Sequence, residues 1–151
     1  MAASQNERKL NVLPDNRLIG TARAKISSLK FTKGREIDNR IVTYLTGVFG
    51  HTKCKRYDPR HFMPVLIKNT DLKRVLKESK LTKAALRSLA QDGSPHLLKT
   101  AKNQKLLCLD GRHRAEVVKT TFPSKDQWWT IRIYLVKSDG RQITFLIHLR
   151  N

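Results

Sequence analysis

The sequence predicts one small α/β (α+β) domain, a short mixed sheet with helices packed around it. Three observations predict it. Short apolar runs with strand character recur, "MPVLI" at 63–67, "LLCL" at 106–109 and "QWWTIRIYLVK" at 127–137. Between and before them lie segments whose apolar residues recur at three- and four-residue steps, the spacing of a helix face. The chain has 151 residues, 39% hydrophobic and 28% charged, which suits a single globular core rather than a disordered tract.

Residues 1–33 read as a polar, basic N-terminal lead-in that packs through Leu10, Val12, Leu13, Leu18 and Ile19. A short strand or an arm touching nucleic acid are the other readings of this stretch. Residues 34–151 read as a single domain, with an end at "LIHLRN" that is compatible with truncation. "REIDNRIVTYLTGVFG" is expected to be a helix that buries Ile37, Ile41, Tyr44, Leu45, Val48 and Phe49, with Gly50 as its C-cap. "HTKCKRYDPRHF" is a charged loop with a turn at Asp58-Pro59. "MPVLI" is a buried strand. "NTDLKRVLKESK" is a helix with Asn69 or Thr70 as N-cap and Leu72, Val75 and Leu76 as its stripe. "LTKAALRSLAQDG" is a second short helix, capped by Thr82, with Leu86 and Leu89 inward and Gly93 closing it. "LLCLDG" is a strand, and "RHRAEVVKTTF" is the helix after it. "QWWTIRIYLVK" is the clearest strand, with Trp129, Ile131, Ile133 and Leu135 alternating against Trp128, Thr130, Arg132, Tyr134 and Val136. "SDGRQITFLIHLRN" fits both a hairpin and a helix capped by Ser138.

Composition narrows the partners. There are 31 Lys and Arg against 12 Asp and Glu, a formal net charge of +19. Such an excess favours a polyanion, either a nucleotide or DNA or RNA met by the basic surface, against the alternative of a basic surface with no specific partner. The few acidic residues argue against a multi-carboxylate nuclease centre. Two cysteines, Cys54 and Cys108, make no disulfide framework, and Cys108 reads as a small buried hydrophobe. With no signal-peptide core and no apolar run of membrane-spanning length, an intracellular protein, nuclear or cytoplasmic, without a membrane partner is expected. His51, Cys54 and His61 offer three ligands in a loop without a paired Cys-x-x-Cys, so no structural metal is expected. Trp128 and Trp129 invite base stacking, but strand alternation sends one indole inward, and core packing is the preferred reading. The lysines and arginines of "KRVLKESKLTKAALR" are either a solvated face or a phosphate-contacting stripe.

The densest chemical signal is "LLCLDGRHRAEV", residues 106–117. A strand that ends in glycine and feeds a helix leaves backbone N–H groups without partners at the helix start, and those donors plus the helix dipole attract anions. Gly111 permits the turn. Arg112 and Arg114 carry forked donors suited to phosphate oxygens. His113 can donate to phosphate or carry a proton near neutral pH. Asp110 can cap the helix or meet a magnesium ion that bridges phosphates. The plainer reading makes Asp110 an N-cap and leaves the arginines solvated or ion-paired. Arg60 and His61, in the loop before "MPVLI", are further candidates for phosphate or base contact, or surface residues held by the Asp58-Pro59 turn.

"CLDGRHRAEV" resembles the nucleotide-binding motif of the ParB/sulfiredoxin superfamily, which follows a strand and opens a helix. "DPRHFMPVLI", "LCLDGRHRAEV" and "FPSKDQWWTIRIYLV" together, over roughly residues 35 to 147, resemble more specifically a family of uncharacterised fungal proteins. The superfamily resemblance implies phosphate binding by Gly111, Arg112, His113 and Arg114. Arg112 stands where sulfiredoxins place the reactive cysteine and where ParB proteins have glutamate, which argues against sulfinic-acid reduction and against CTP hydrolysis of the ParB kind. The motif comes nearest to the Asp-Gly-His-His-Arg of ADP-dependent serine kinases, with Arg112 in place of the first histidine. The resemblance covers only the nucleotide-binding part of ParB proteins and does not extend to their helix-turn-helix part.

The leading expectation is therefore a nucleotide-binding domain with a strand–Asp-Gly-Arg-His-Arg–helix site for ATP, ADP or CTP with magnesium. Phosphoryl transfer or hydrolysis is an optional extension, with His113 and Asp110 as the catalytic candidates. The alternatives are a non-enzymatic DNA- or RNA-binding module and an inert remnant or fragment of a longer fungal protein.

Overall fold

Met63–Lys68 (β3) is a strand because five consecutive apolar residues, Met63 to Ile67, can all be buried at once. Only a strand covered on both faces uses such a run. In the computed structural model, which describes residues 17–32, 36–51 (side chains only to 48) and 56–136, β3 is the centre of a five-stranded sheet. The other strands are β1 (Leu18–Lys25), β2 (Leu29–Phe31), β4 (Leu106–Cys108) and β5 (Trp128–Val136). Their spatial order is β1-β5-β3-β4-β2. The sheet is mixed: β1 with β5 and β3 with β4 are antiparallel, whereas β3 with β5 and β4 with β2 are parallel. Among the described residues three helices accompany the sheet in this α+β domain: α1 (Asn39–His51), α2 (Asn69–Ser79) and α3 (Arg112–Thr121).

Strand alternation sorts the core. Met63, Val65 and Ile67 of β3, Trp129, Ile131 and Ile133 of β5, and Ala22 and Ala24 of β1 share one cluster with Leu72 and Val75 of α2 and Ala115 and Val118 of α3. Leu66, Tyr134 and Val136 point to the other face and form a second cluster with Leu109. Trp129 is fully buried, as expected for one indole of the pair, and Trp128 is half-buried.

Several expectations are corrected. Residues 18–31 are not a lead-in: β1 and β2 are strands of the sheet, so the domain begins well before residue 34. Leu10, Val12 and Leu13 lie outside the described residues. α1 starts at Asn39 rather than at 35, and it continues through Gly50 to His51, so Gly50 does not cap it. Its stripe is not a core stripe: Ile41 is 42% and Tyr44 71% exposed, and α1 packs chiefly on α3. Phe49's side chain lies outside the described residues. The N-cap of α2 is Lys68, with no side-chain cap, rather than Asn69 or Thr70. The segment after α2 is a 3-10 turn, Lys83–Arg87, although Thr82 caps it as expected through a 3.3 Å bond from the Ala85 N–H. Leu86 is buried there, but Leu89 is 60% exposed because it has left the turn and pairs with Pro95. Gly93 closes a separate turn on Ala90 instead of a helix. The hairpin-or-helix alternative for 138–151 falls outside the described residues. Among the described residues no helix is long and apolar enough to cross a membrane.

Candidate functional site

The site grows from an antiparallel pair. Because β3 and β4 run in opposite directions, the end of β4 lies beside the start of β3, and the Leu109 N–H donates to the Pro64 carbonyl at 2.9 Å. The chain then turns at Gly111, whose φ of 106° is in the left-handed region that favours glycine. A β-carbon there would also meet the Met63 side chain at 2.7 Å. Glycine is thus required twice, once for the turn and once for close packing on β3. α3 begins immediately, with the Ala115 N–H on the Gly111 carbonyl as its first bond, at 2.8 Å.

The same geometry sets the 58–62 turn beside the first turn of α3. The His61 carbonyl accepts from Arg114 Nη1 at 2.6 Å and from Trp129 Nε1 at 2.8 Å. The sequence candidates His61 and Arg114 are therefore brought together, but through the His61 backbone. Arg60 has a different attachment. Its guanidinium grips Asp58 with Nη2 at 2.9 Å and Nε at 3.2 Å, while its own side chain is 80% exposed. The Asp58 carboxyl is pulled down to about 2, chiefly by the Arg60 side chain and then by the Arg60 backbone N–H. Asp58 also caps the turn by accepting that N–H at 3.0 Å. The His61 imidazole sits 3.9 Å from the same carboxylate.

Asp110 does not cap α3. Its Oδ1 accepts the N–H of Gly111 at 2.9 Å, and Gly111 itself is the N-cap. Gly111 has no side chain with which to cap the helix, and no acidic residue stands in its first turn. The backbone N–H groups of Arg112, His113 and Arg114 therefore precede the intrahelical ladder, at the positive end of the helix dipole. Arg112 is exposed. His113 is half-buried, and its Nε2 accepts the backbone N–H of Asp38 at 3.1 Å, which requires a neutral ring protonated at Nδ1. Asp38 opens α1: its carboxylate accepts the Arg40 N–H at 2.9 Å and is held below the usual carboxylate range, chiefly by the Arg40 side chain.

The first-turn N–H groups and the exposed Arg112 stand together at the α3 start. Among the described residues no cluster of three or more His, Cys, Asp or Glu could hold a metal ion. Of the loop ligands considered for zinc, Cys54 and the His51 side chain lie outside those residues. Sequence reasoning missed Asp38 and the structural use of Arg114. A signal for Asp38 was present, an aspartate followed by Asn-Arg ahead of a helical stripe, which is an N-cap pattern. Reasoning from sequence also missed the aromatic and arginine cluster around Trp128, whose members come from three distant segments.

Fold and site together define a mixed-sheet α+β domain with a strand–glycine–basic-helix junction at one end of its sheet. Residues 17–149 match the model of the family described as "Protein of unknown function (DUF3723) N-terminal domain", and the chain belongs to that family. No curated protein and no solved structure matches it.

Proposed function

We propose that the protein binds a nucleoside phosphate at the start of α3, in the manner of the ParB/sulfiredoxin-like domains that "LDGRHRAEV" resembles. The observation that carries this reading is the composition of the α3 start: a left-handed glycine, three basic residues in the first turn and no acidic one. The phosphate sits on the N–H groups of Arg112, His113 and Arg114, and the Arg112 guanidinium closes on its oxygens. ATP, ADP and CTP are the candidate ligands, with magnesium met by Asp110. Binding is better supported than turnover. The lone pair of neutral His113 that a general base would use is engaged by Asp38, and Arg60 already has a carboxylate partner. The setting is intracellular, nuclear or cytoplasmic, in keeping with two cysteines that form no framework.

Calorimetric titration of ATP, ADP, CTP and GTP with magnesium tests the proposal. Wild type is expected to bind at least one of them, inorganic pyrophosphate to compete, and Arg112→Glu to lose about tenfold or more in affinity, as expected for 1.4 kcal/mol. No binding by wild type, or equal binding by Arg112→Glu, overturns the reading.

A further inference from the structure

We propose that the surface around Tyr57 and Trp128, flanked by Arg23 and Arg56, binds single-stranded nucleic acid by base stacking and phosphate contact, independently of the α3 site. Trp128 is half-buried, with two guanidinium groups over its ring, Arg56 at 4.2 Å and Arg23 at 5.2 Å from the centroid. Arg56 is also 4.7 Å from the Phe122 ring. Tyr57 lies 5.5 Å from Trp128, tilted by 53°, and is 53% exposed. Register brings in a further cation: Lys25 is opposite Trp128 and Arg23 opposite Thr130, so Arg23, Lys25 and Trp128 share a sheet face, and Lys25 is exposed.

The charge here is not matched internally. Arg23 Nε donates to the Pro95 carbonyl at 2.8 Å and Arg56 Nη2 to the Asp126 carbonyl at 2.6 Å. These bonds to neutral carbonyls aim the guanidinium groups without neutralising them. Among the described residues neither arginine has a carboxylate at ion-pair distance, in contrast to Arg40 and Arg60. Arg56 Nε is buried there with no acceptor at all. Asp92 feels Arg23 only as a secondary influence, behind its bonds to Ser94. Fixed guanidinium charge beside an exposed aromatic ring, in a chain of net charge +19, fits a ligand with phosphates and accessible π-faces. Unpaired bases supply those faces, and a duplex hides them.

Fluorescence anisotropy on the full chain tests this, with labelled oligothymidylate and oligouridylate of roughly ten nucleotides and a duplex of equal length. Wild type is expected to bind at least one single strand more tightly than the duplex. Tyr57→Ala is expected to weaken that binding by about fivefold to a hundredfold, as loss of one stacked base does. Tyr57→Phe keeps the ring and is expected to restore it, with circular dichroism unchanged in both variants. Equal affinity of Tyr57→Ala and wild type, equal or tighter duplex binding, or no binding at low salt overturns the proposal. ATP, ADP, CTP and GTP titrations of Tyr57→Ala separate the two sites, because nucleotide affinity at α3 is expected to stay at the wild-type value.

Discussion

His113 accepts the backbone N–H of Asp38 through Nε2 at 3.1 Å, so the first turn of α3 holds the first turn of α1. The ring is the acceptor here, so its loss leaves the Asp38 N–H without this partner. In His113→Ala the Asp38 amide resonance is expected to shift in 15N correlation spectra and its hydrogen exchange to speed up. His113→Ala is expected to destabilise the fold by about 1–2 kcal/mol at neutral pH, measured by denaturant unfolding. An Asp38 amide unchanged in His113→Ala rules the contact out.

Asp58 holds Arg60 in the turn that precedes β3, and the Arg60 side chain pulls its carboxyl down to about 2. A depressed folded value means that the contribution is fully present above the ordinary carboxylate range and is lost as pH falls through the folded value. Asp58→Asn is therefore expected to lower Tm at neutral pH, and the difference from wild type is expected to disappear as pH approaches 2. A carbon-13 carboxyl titration should show the low midpoint directly. A Tm difference that does not change with pH would argue against the ion pair as its source.

Arg114 Nη1 holds the His61 carbonyl at 2.6 Å, beside the Trp129 Nε1 donor at 2.8 Å. Arg114→Ala removes a charged donor and leaves that carbonyl with the indole alone, so a loss of about 1–3 kcal/mol of stability is expected. Chemical denaturation measures it, and a stability equal to wild type would refute a structural role for Arg114.

Gly111→Ala combines two penalties, a left-handed φ of 106° and a β-carbon 2.7 Å from Met63. About 1–2 kcal/mol for the backbone and about 1–3 kcal/mol for overpacking are expected. Met63 has a flexible side chain, so a Met63→Ala second change should recover part of the packing loss and none of the backbone loss. At Gly20 the obstacle is the Leu86 carbonyl oxygen itself, 2.1 Å from the added carbon, and backbone cannot swing aside. Gly20→Ala is expected to cost more than Gly111→Ala in the same unfolding measurement.

Local patterning carried the elements whose signal is contained in a few adjacent residues. The apolar run Met63–Ile67, the alternation through Trp128–Val136 and the strand–glycine–helix step at 106–121 were all legible, because burial on two faces, period-two alternation and the turn residue are written in consecutive positions. β1 was legible only at its start, where a short strand was one reading of "NVLPDNRLIG", and β2 was not legible as a strand. Ala22 and Ala24 have little strand preference, and Arg23, Lys25 and Lys30 make the segment look solvated. They are strands because β5 and β4 present edges that pair with them. The stripe of α1 misled for the same reason: helical spacing identifies a face, but only the packing partner decides whether that face is covered.

By itself, the sequence determined the small α+β domain, its basic charge and the basic first turn of α3, since each follows from composition or short-range order. Only the tertiary structure decided which of those charges are already engaged. Arg114 serves the His61 carbonyl, Arg60 serves Asp58, and His113 serves Asp38, whereas Arg23 and Arg56 face Trp128 without a carboxylate at ion-pair distance among the described residues. The physical reason is that a charge is set by residue type, but its partner is set by distance, and these partners lie between 2 and 105 positions away along the chain.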